Sequence, residues 1–234
     1  MKSRSLLSAG VFPLLLMGTS IRAQIAAGPK GGVNFNTLRA QYSAPPGSST
    51  VAPDVKASGV GFHLGFFVNT GPEASAAMRI ELLYSDRSTA DVYDFTTVGS
   101  SGTKRYQGHV EYTMRYMEVP VLLTVRTSKE LSFHGGAAAA LLISASSVDE
   151  GTETWTESGT TYSNAYIYKG TDKDVSAVSI DLVLGWNFEL IPGLCFGMRY
   201  LFDLNDLDKT EYVTAKGSVF QVGMEYTIGG AKKE

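Results

Sequence analysis

Three histidines and a scatter of acids are the residues of this 234-residue chain with the most obvious capacity for chemistry. His109 follows Asp86, Asp91 and Asp94 by a few tens of residues at most, and a His/Asp pair can draw a proton from water. The spacing is not distinctive, however, and the chain has no nucleophile elbow, no Gly-rich phosphate loop on a strand-to-helix turn and no paired His ligands. His63 and His134 alternate with glycine and serine along otherwise apolar stretches, which is the setting of a hydrogen-bonded structural histidine. Cys195 is the single cysteine, so one chain can form neither an intrachain disulfide nor a cysteine-based metal site. The expectation is a protein without catalytic activity, cofactor or metal.

The remaining charged residues fall into register once the chain is read at every second position. In residues 178–205, Val178, Ile180, Leu182, Leu184, Trp186, Phe188 and Leu190 form one apolar face, and Ser179, Asp181, Gly185, Asn187 and Glu189 form the other. Period two means strand. After Ile191-Pro192-Gly193, a turn in which Pro sets φ and Gly accepts a positive one, Leu194, Phe196, Met198, Tyr200, Phe202 and Leu204 resume the alternation against Arg199 and Asp203.

The same reading predicts strands at 30–38, 59–70, 78–87, 110–125, 131–144 and 217–228, for eight in all. In the strand through 110–125 the apolar residues change phase, from Val110, Tyr112 and Met114 to Met117, Val119 and Val121, which a β-bulge near Arg115–Tyr116 would reconcile. Pro120 must face a bulge or a loosely paired position. The run Ala137–Ala140 leaves a helix open there as an alternative to strand. Connections after strands two, four and six are short. Those after one, three, five and seven, near 39–56, 88–107, 145–174 and 206–216, read as long loops.

Residues 1–23 carry Lys2 and Arg4, an apolar run from Leu6 to Met17, and Ile21-Arg22-Ala23 before Gln24, which reads as a secretory signal peptide. Its removal would take away Lys2, Arg4 and Arg22 and no acid, three positive charges, moving the net charge from -3 to -6. A mildly acidic exported protein is not expected to bind nucleic acid. No apolar run of about 18 residues follows, so a membrane protein of this sequence must be a barrel. Eight long alternating strands with short turns on one rim and long loops on the other predict an all-β fold: an eight-stranded antiparallel up-and-down transmembrane β-barrel spanning 24–234, in the outer membrane.

A soluble lipocalin-like barrel has the same period with its apolar face inward. The length of the apolar faces, the aromatic residues Tyr84, Trp186, Tyr200 and Tyr226 on them, and the glycines of the polar face, which make room in a narrow lumen, favour lipid outside. The lumen then holds Lys30, His63, Arg79, Glu81, Glu118, Asp181, Glu189, Arg199, Asp203 and Glu225. Mixed charges in so small a space are expected to pair into a plug, because an unpaired buried ion is expensive. A three-residue turn would set Leu190 against Leu194 and Asp181 against Asp203. Arg199 or Arg79 would then neutralise the two acids; a cation site is the alternative.

Four segments, GPKGGVNFNTL at 28–38, ELLYSDRS at 81–88, YMEVPVLLTV at 116–125 and MRYLFDLNDL at 198–207, resemble the PorT-like outer-membrane β-barrel family in order and spacing. The most specific of them is the Tyr-x-Glu-x-Pro segment containing Glu118 and Pro120. The resemblance implies an eight-stranded outer-membrane barrel, carries the porin-family label and implies no enzyme activity. The secretion role of the founding member does not carry over. Members usually finish on an aromatic strand end, whereas here Ile228 is followed by Gly229-Gly230-Ala231-Lys232-Lys233-Glu234.

The function expected is a structural or interaction barrel of the cell envelope, a monomer folded by the barrel-assembly machinery into outer-membrane lipid. Its long extracellular loops, with Trp155, Tyr162, Tyr166 and Tyr168, would meet envelope proteins or glycans. A narrow porin or transport-associated barrel is the alternative, ahead of a barrel enzyme or a soluble binder.

Overall fold

The computed structural model describes residues 25–43, 54–71, 74–99, 102–171, 174–208 and 213–228. The expected signal peptide and the tail after Ile228 lie outside them. Among the described residues ten strands are present: β1 (Ile25–Tyr42), β2 (Val55–Thr70), β3 (Ala76–Asp86), β4 (Thr89–Gly99), β5 (Gly102–Arg126), β6 (Leu131–Glu157), β7 (Thr160–Thr171), β8 (Val178–Ile191), β9 (Leu194–Asp203) and β10 (Val213–Tyr226). Eight of them, β1-β2-β3-β5-β6-β8-β9-β10, form a closed antiparallel ring in which β1 pairs with β10. Closure gives every ring strand two neighbours, which is what a sheet needs where no water is available to its backbone.

The period-two pattern is realised directly. Val60, Phe62, Leu64, Phe66 and Val68 of β2, Met78, Ile80 and Leu82 of β3 and Ile180, Leu182 and Leu184 of β8 all point outward and are exposed. Arg79, Glu81, Asp181 and Ser179, on the alternate positions, are buried. A Leu or Phe side chain left in water instead of an apolar medium forgoes roughly 1.5–3 kcal/mol, so a continuous band of them requires lipid around it.

Two of the expected long loops are strands. Residues 89–99 (β4) pair with the first half of β5, from Thr89↔Tyr112 to Gly99↔Gly102, and β7 pairs with the second half of β6, from Ser146↔Thr171 to Glu157↔Thr160. Together with the β5–β6 ladder, which runs on to Lys104↔Trp155, they make a four-stranded sheet β4-β5-β6-β7 continuing beyond the barrel rim. The connection after strand one is also shorter than 39–56, since β1 runs to Tyr42 and β2 starts at Val55. Ala137–Ala140 is strand within β6.

The register irregularity falls at Arg115/Tyr116, but its extra residue is on the other strand: Arg115 pairs with Ser144 and Tyr116 with Leu142, leaving Ile143 as the bulge in β6. Strand β5 keeps one phase throughout, its even-numbered residues facing inward from Lys104 to Leu122. The apolar residues change phase because their surroundings change. Met114 and Tyr116 point inward to an apolar cluster with Leu38, Ala57, Ala140 and Leu207 at the outer end of the barrel, whereas Val121 and Leu123 point outward. Opposite Pro120 the β3–β5 ladder skips from Ile80↔Val121 to Leu83↔Glu118, the loosely paired position a proline requires.

The β8–β9 turn is one residue tighter than expected. Ile191 pairs with Leu194 around Pro192-Gly193, with Gly193 at φ +85°, and the bulge at Leu190 means that this residue does not face Leu194. Asp181 does face Asp203.

Candidate functional site

Charged side chains from six strands, β1, β3, β5, β8, β9 and β10, and from Arg87, just past β3, meet in the barrel interior. Four cations, Lys30, Arg79, Arg87 and Arg199, interleave with five acids, Glu81, Glu118, Asp181, Asp203 and Glu225, in two connected groups. In the first, Arg79 holds Glu225 through both terminal nitrogens and Glu81 through Nε at 2.5 Å, with its guanidinium 4.1 Å from the Phe67 ring centroid. Lys30 reaches Glu81 at 3.2 Å, and Arg199 donates to the second Glu81 oxygen at 2.6 Å and to Gln221 at 2.5 Å. In the second, Arg87 contacts Glu118 at 2.7 Å, Asp181 at 2.6 Å and Asp203 at 3.3 Å. Arg199, 3.8 Å from Glu118, joins the two.

Arg87 falls on the polar face of the strand predicted at 78–87 but is absent from the expected lumen network. It, not Arg199 or Arg79, neutralises the facing pair Asp181 and Asp203. It also occupies the place where a cation was the alternative, and among the described residues no group of His, Cys, Asp or Glu is arranged to hold a metal ion. The signal was in the sequence, since Arg87 shares the odd-numbered phase of Arg79, Glu81 and Ser85. Glu189 is not brought into the network. It lies at the turn-side rim, half-buried, where its carboxylate accepts the Gly193 N–H at 2.9 Å.

Uncharged polar groups complete the interior: Asn34 donates to Ser85 at 3.0 Å and accepts at Oδ1 from His63 Nδ1 at 2.8 Å, and Asn187 donates to Glu225 at 3.1 Å. Glycine gives the space. A Cβ on Gly185 would stand 2.6 Å from His134 Nε2 and 2.5 Å from the Arg199 Cβ. The gap left among Lys30, His63, His134, Asn187 and Arg199 is about 10 Å³, roughly one water molecule.

His109 meets none of the acids considered for it. It faces the outer side of β5 between Val92 and Glu150, whereas Asp91 belongs to the opposite face and accepts the Val92 N–H. Asp94 is taken by Arg105 and Gln107, and Asp86 by Ser88.

The inner face of the four-stranded sheet is aromatic. Phe95 stacks on Tyr106 with centroids 5.2 Å apart, Trp155 on Tyr162 at 5.5 Å, and Tyr166 meets Tyr168 at 5.2 Å. Lys104 lies 5.7 Å from the Trp155 ring centroid and pairs with Glu153. Across the middle runs the row Tyr93-Gly108-Gly151-Tyr166. Its glycines let the two tyrosines lie flat, since a Cβ on Gly108 would come within 2.6 Å of the Tyr93 hydroxyl and one on Gly151 within 2.7 Å of that of Tyr166. The two hydroxyls meet at 2.5 Å, and that of Tyr93 also donates to Asp149 at 2.5 Å.

Desolvation, then the hydrogen bonds to Asp149 and Tyr166, raise the Tyr93 pKa well above the usual phenol value. A raised acid favours its protonated form, so this contribution to sheet stability is whole below pH about 10 and is lost as pH climbs through the folded value. In an alkaline absorbance titration, Tyr93→Phe is expected to leave the tyrosinate rise near pH 10 unchanged. A smaller amplitude there would contradict the assignment.

Residues 19–209 match the family model described as "Outer membrane protein beta-barrel domain". The chain belongs to this outer-membrane β-barrel family. Its place is the outer membrane, and the exposed apolar band is the lipid face. No curated protein sequence matches it. Among solved structures it is similar to Ail of Yersinia pestis, determined in complex with the heparin analogue sucrose octasulfate, at 11% identity, covering 88% of this chain and 99% of that one with a TM-score of 0.38. It is similar to the outer membrane protease OmpT of Escherichia coli at 9% identity, with coverage of 88% and 97% and a TM-score of 0.42. For the outer membrane protein OprG of Pseudomonas aeruginosa the values are 10%, 89%, 97% and 0.37.

Proposed function

We propose that this outer-membrane barrel is a non-catalytic interaction protein: its lumen is plugged by the ion-pair network, and its outer sheet presents an aromatic face to a partner at the cell surface. The observation that carries the reading is the pairing of a filled interior with a projecting β4-β5-β6-β7 sheet. The strands that extend furthest from the membrane hold Phe95, Tyr106, Trp155 and Tyr162 on one face, a composition suited to contact with a protein or a glycan at low entropic cost. A monomeric barrel suffices for this role.

The finer resemblance to PorT-like barrels gains support from the Tyr116-x-Glu118-x-Pro120 segment. Each of its three residues has a separate duty: Tyr116 in the apolar cluster, Glu118 on Arg87, and Pro120 at the ladder gap.

The test is cross-linking and recovery from detergent-solubilised outer membrane, comparing the natural protein with a Trp155→Ala/Tyr162→Ala variant. A partner recovered by the former and reduced roughly tenfold or more with the latter is the expected result, since aromatic anchors dominate such contacts. Equal recovery by both would rule out the aromatic face as the contact.

A further inference from the structure

Above the ion network the barrel interior changes character. The inward positions that carry Lys30, Arg79 and Glu81 lower down are Ala40, Ala57, Ala145 and Ala215 toward the outer rim, each buried. Small side chains on facing strands do not meet across a barrel, and around Ala40, Ala145 and Ala215 a cavity of about 130 Å³ remains between β1, β2, β5, β6 and β10. Leu38, Ala40, Met114, Ala145 and Ala215 form most of its wall, the rings of Tyr42 and Tyr112 close it further, and Ser146, exposed, and Asp208, half-buried, stand where it opens to solvent. Tyr116 separates it from the network: its hydroxyl lies 3.6 Å from Met114 Sδ, and its ring 4.9 Å from the Arg87 guanidinium carbon.

We infer that this cavity is a binding site for a small apolar molecule of about the size of a single aromatic ring. An apolar cavity of about 150 Å³ holds water poorly and takes up benzene or xenon. The walls give such a ligand contact area without requiring a hydrogen bond, and charged or sugar-like ligands would lose their hydration against Leu38 and Met114, since the polar groups of Tyr42, Tyr112 and Asp208 already have interactions within the protein. The ion network closes the cavity on the periplasmic side, so entry and exit share the outer rim. The site is thus one of capture rather than a step in a through-going channel. It stands independently of what the aromatic sheet binds.

The test is NMR of the outer-membrane form of the protein in lipid nanodiscs, with ¹³C-methyl methionine and benzene as the probe. Met114 lines the cavity, while Met78 and Met224 are exposed on the lipid face and report only partition into the bilayer. A saturable shift of the Met114 methyl, with Met78 and Met224 drifting in proportion to benzene, is expected. Ala145→Leu and Ala215→Leu fill the cavity and should each weaken the saturable response roughly tenfold or more. A Met114 shift that follows Met224 without saturating would overturn the inference on the natural protein alone, whether or not the variants fold. So would saturation that neither folded variant weakens.

Discussion

Replacing Arg87 by methionine is expected to destabilise the folded barrel by about 3–5 kcal/mol, the usual cost of removing one partner from a buried ion group. The substitution keeps most of the side-chain volume and takes away the charge that Glu118, Asp181 and Asp203 share. Three carboxylates then face one another with only Arg199, 3.8 Å from Glu118, as a compensating cation. Adding Asp181→Asn and Asp203→Asn to the methionine variant should recover much of the loss, because the penalty comes from unpaired charge and not from a missing contact. Urea unfolding in lipid vesicles, followed through Trp186, measures both. A loss below about 1 kcal/mol for the single variant, in the range of an exposed pair, would mean that water reaches Arg87 and that the interior is not closed.

The second large effect concerns the outer surface. Leu64 stands midway along the outward face of β2, 61% exposed, and Leu64→Arg is expected to cost about 2–4 kcal/mol, the penalty for a cation at the bilayer midplane of a barrel. Val92, on β4 and 80% exposed, also presents an apolar side chain outward. Val92→Arg is expected to change stability by no more than about 0.5 kcal/mol, because β4 lies in water. The two substitutions are chemically alike, so their difference locates the membrane boundary between the barrel and the four-stranded sheet. Equal costs would place both residues in the same medium.

Much of this architecture was legible from alternation alone, because lipid outside and charge inside impose a strict period of two on every ring strand. The pairing Asp181↔Asp203 followed from counting residues away from Pro192-Gly193, and it survived a bulge at Leu190 that counting could not foresee. Strands β4 and β7 were missed because both their faces meet water, so no apolar period marks them. Their signal was instead alternate aromatics, Tyr93 and Phe95 in one and Tyr166 and Tyr168 in the other, among threonines of high strand propensity. The phase change in β5 was visible, but its cause, an apolar cluster at the outer end of the barrel above a charged one, needs the third dimension. So do the network's partners: Arg87 and Asp203 are 116 positions apart, and Arg79 and Glu225 are 146. Phase indicates which residues face inward, not which of them touch.

The central claim, a lumen closed by its own ion pairs, is tested most directly by single-channel recording of the purified protein in planar bilayers. No steady conductance is expected from the natural protein, whose interior gap beside the network is about 10 Å³. A steady conductance of the natural protein that Arg79→Gln or Glu118→Gln alters would contradict the account, since ions would then be passing among the side chains said to close the barrel.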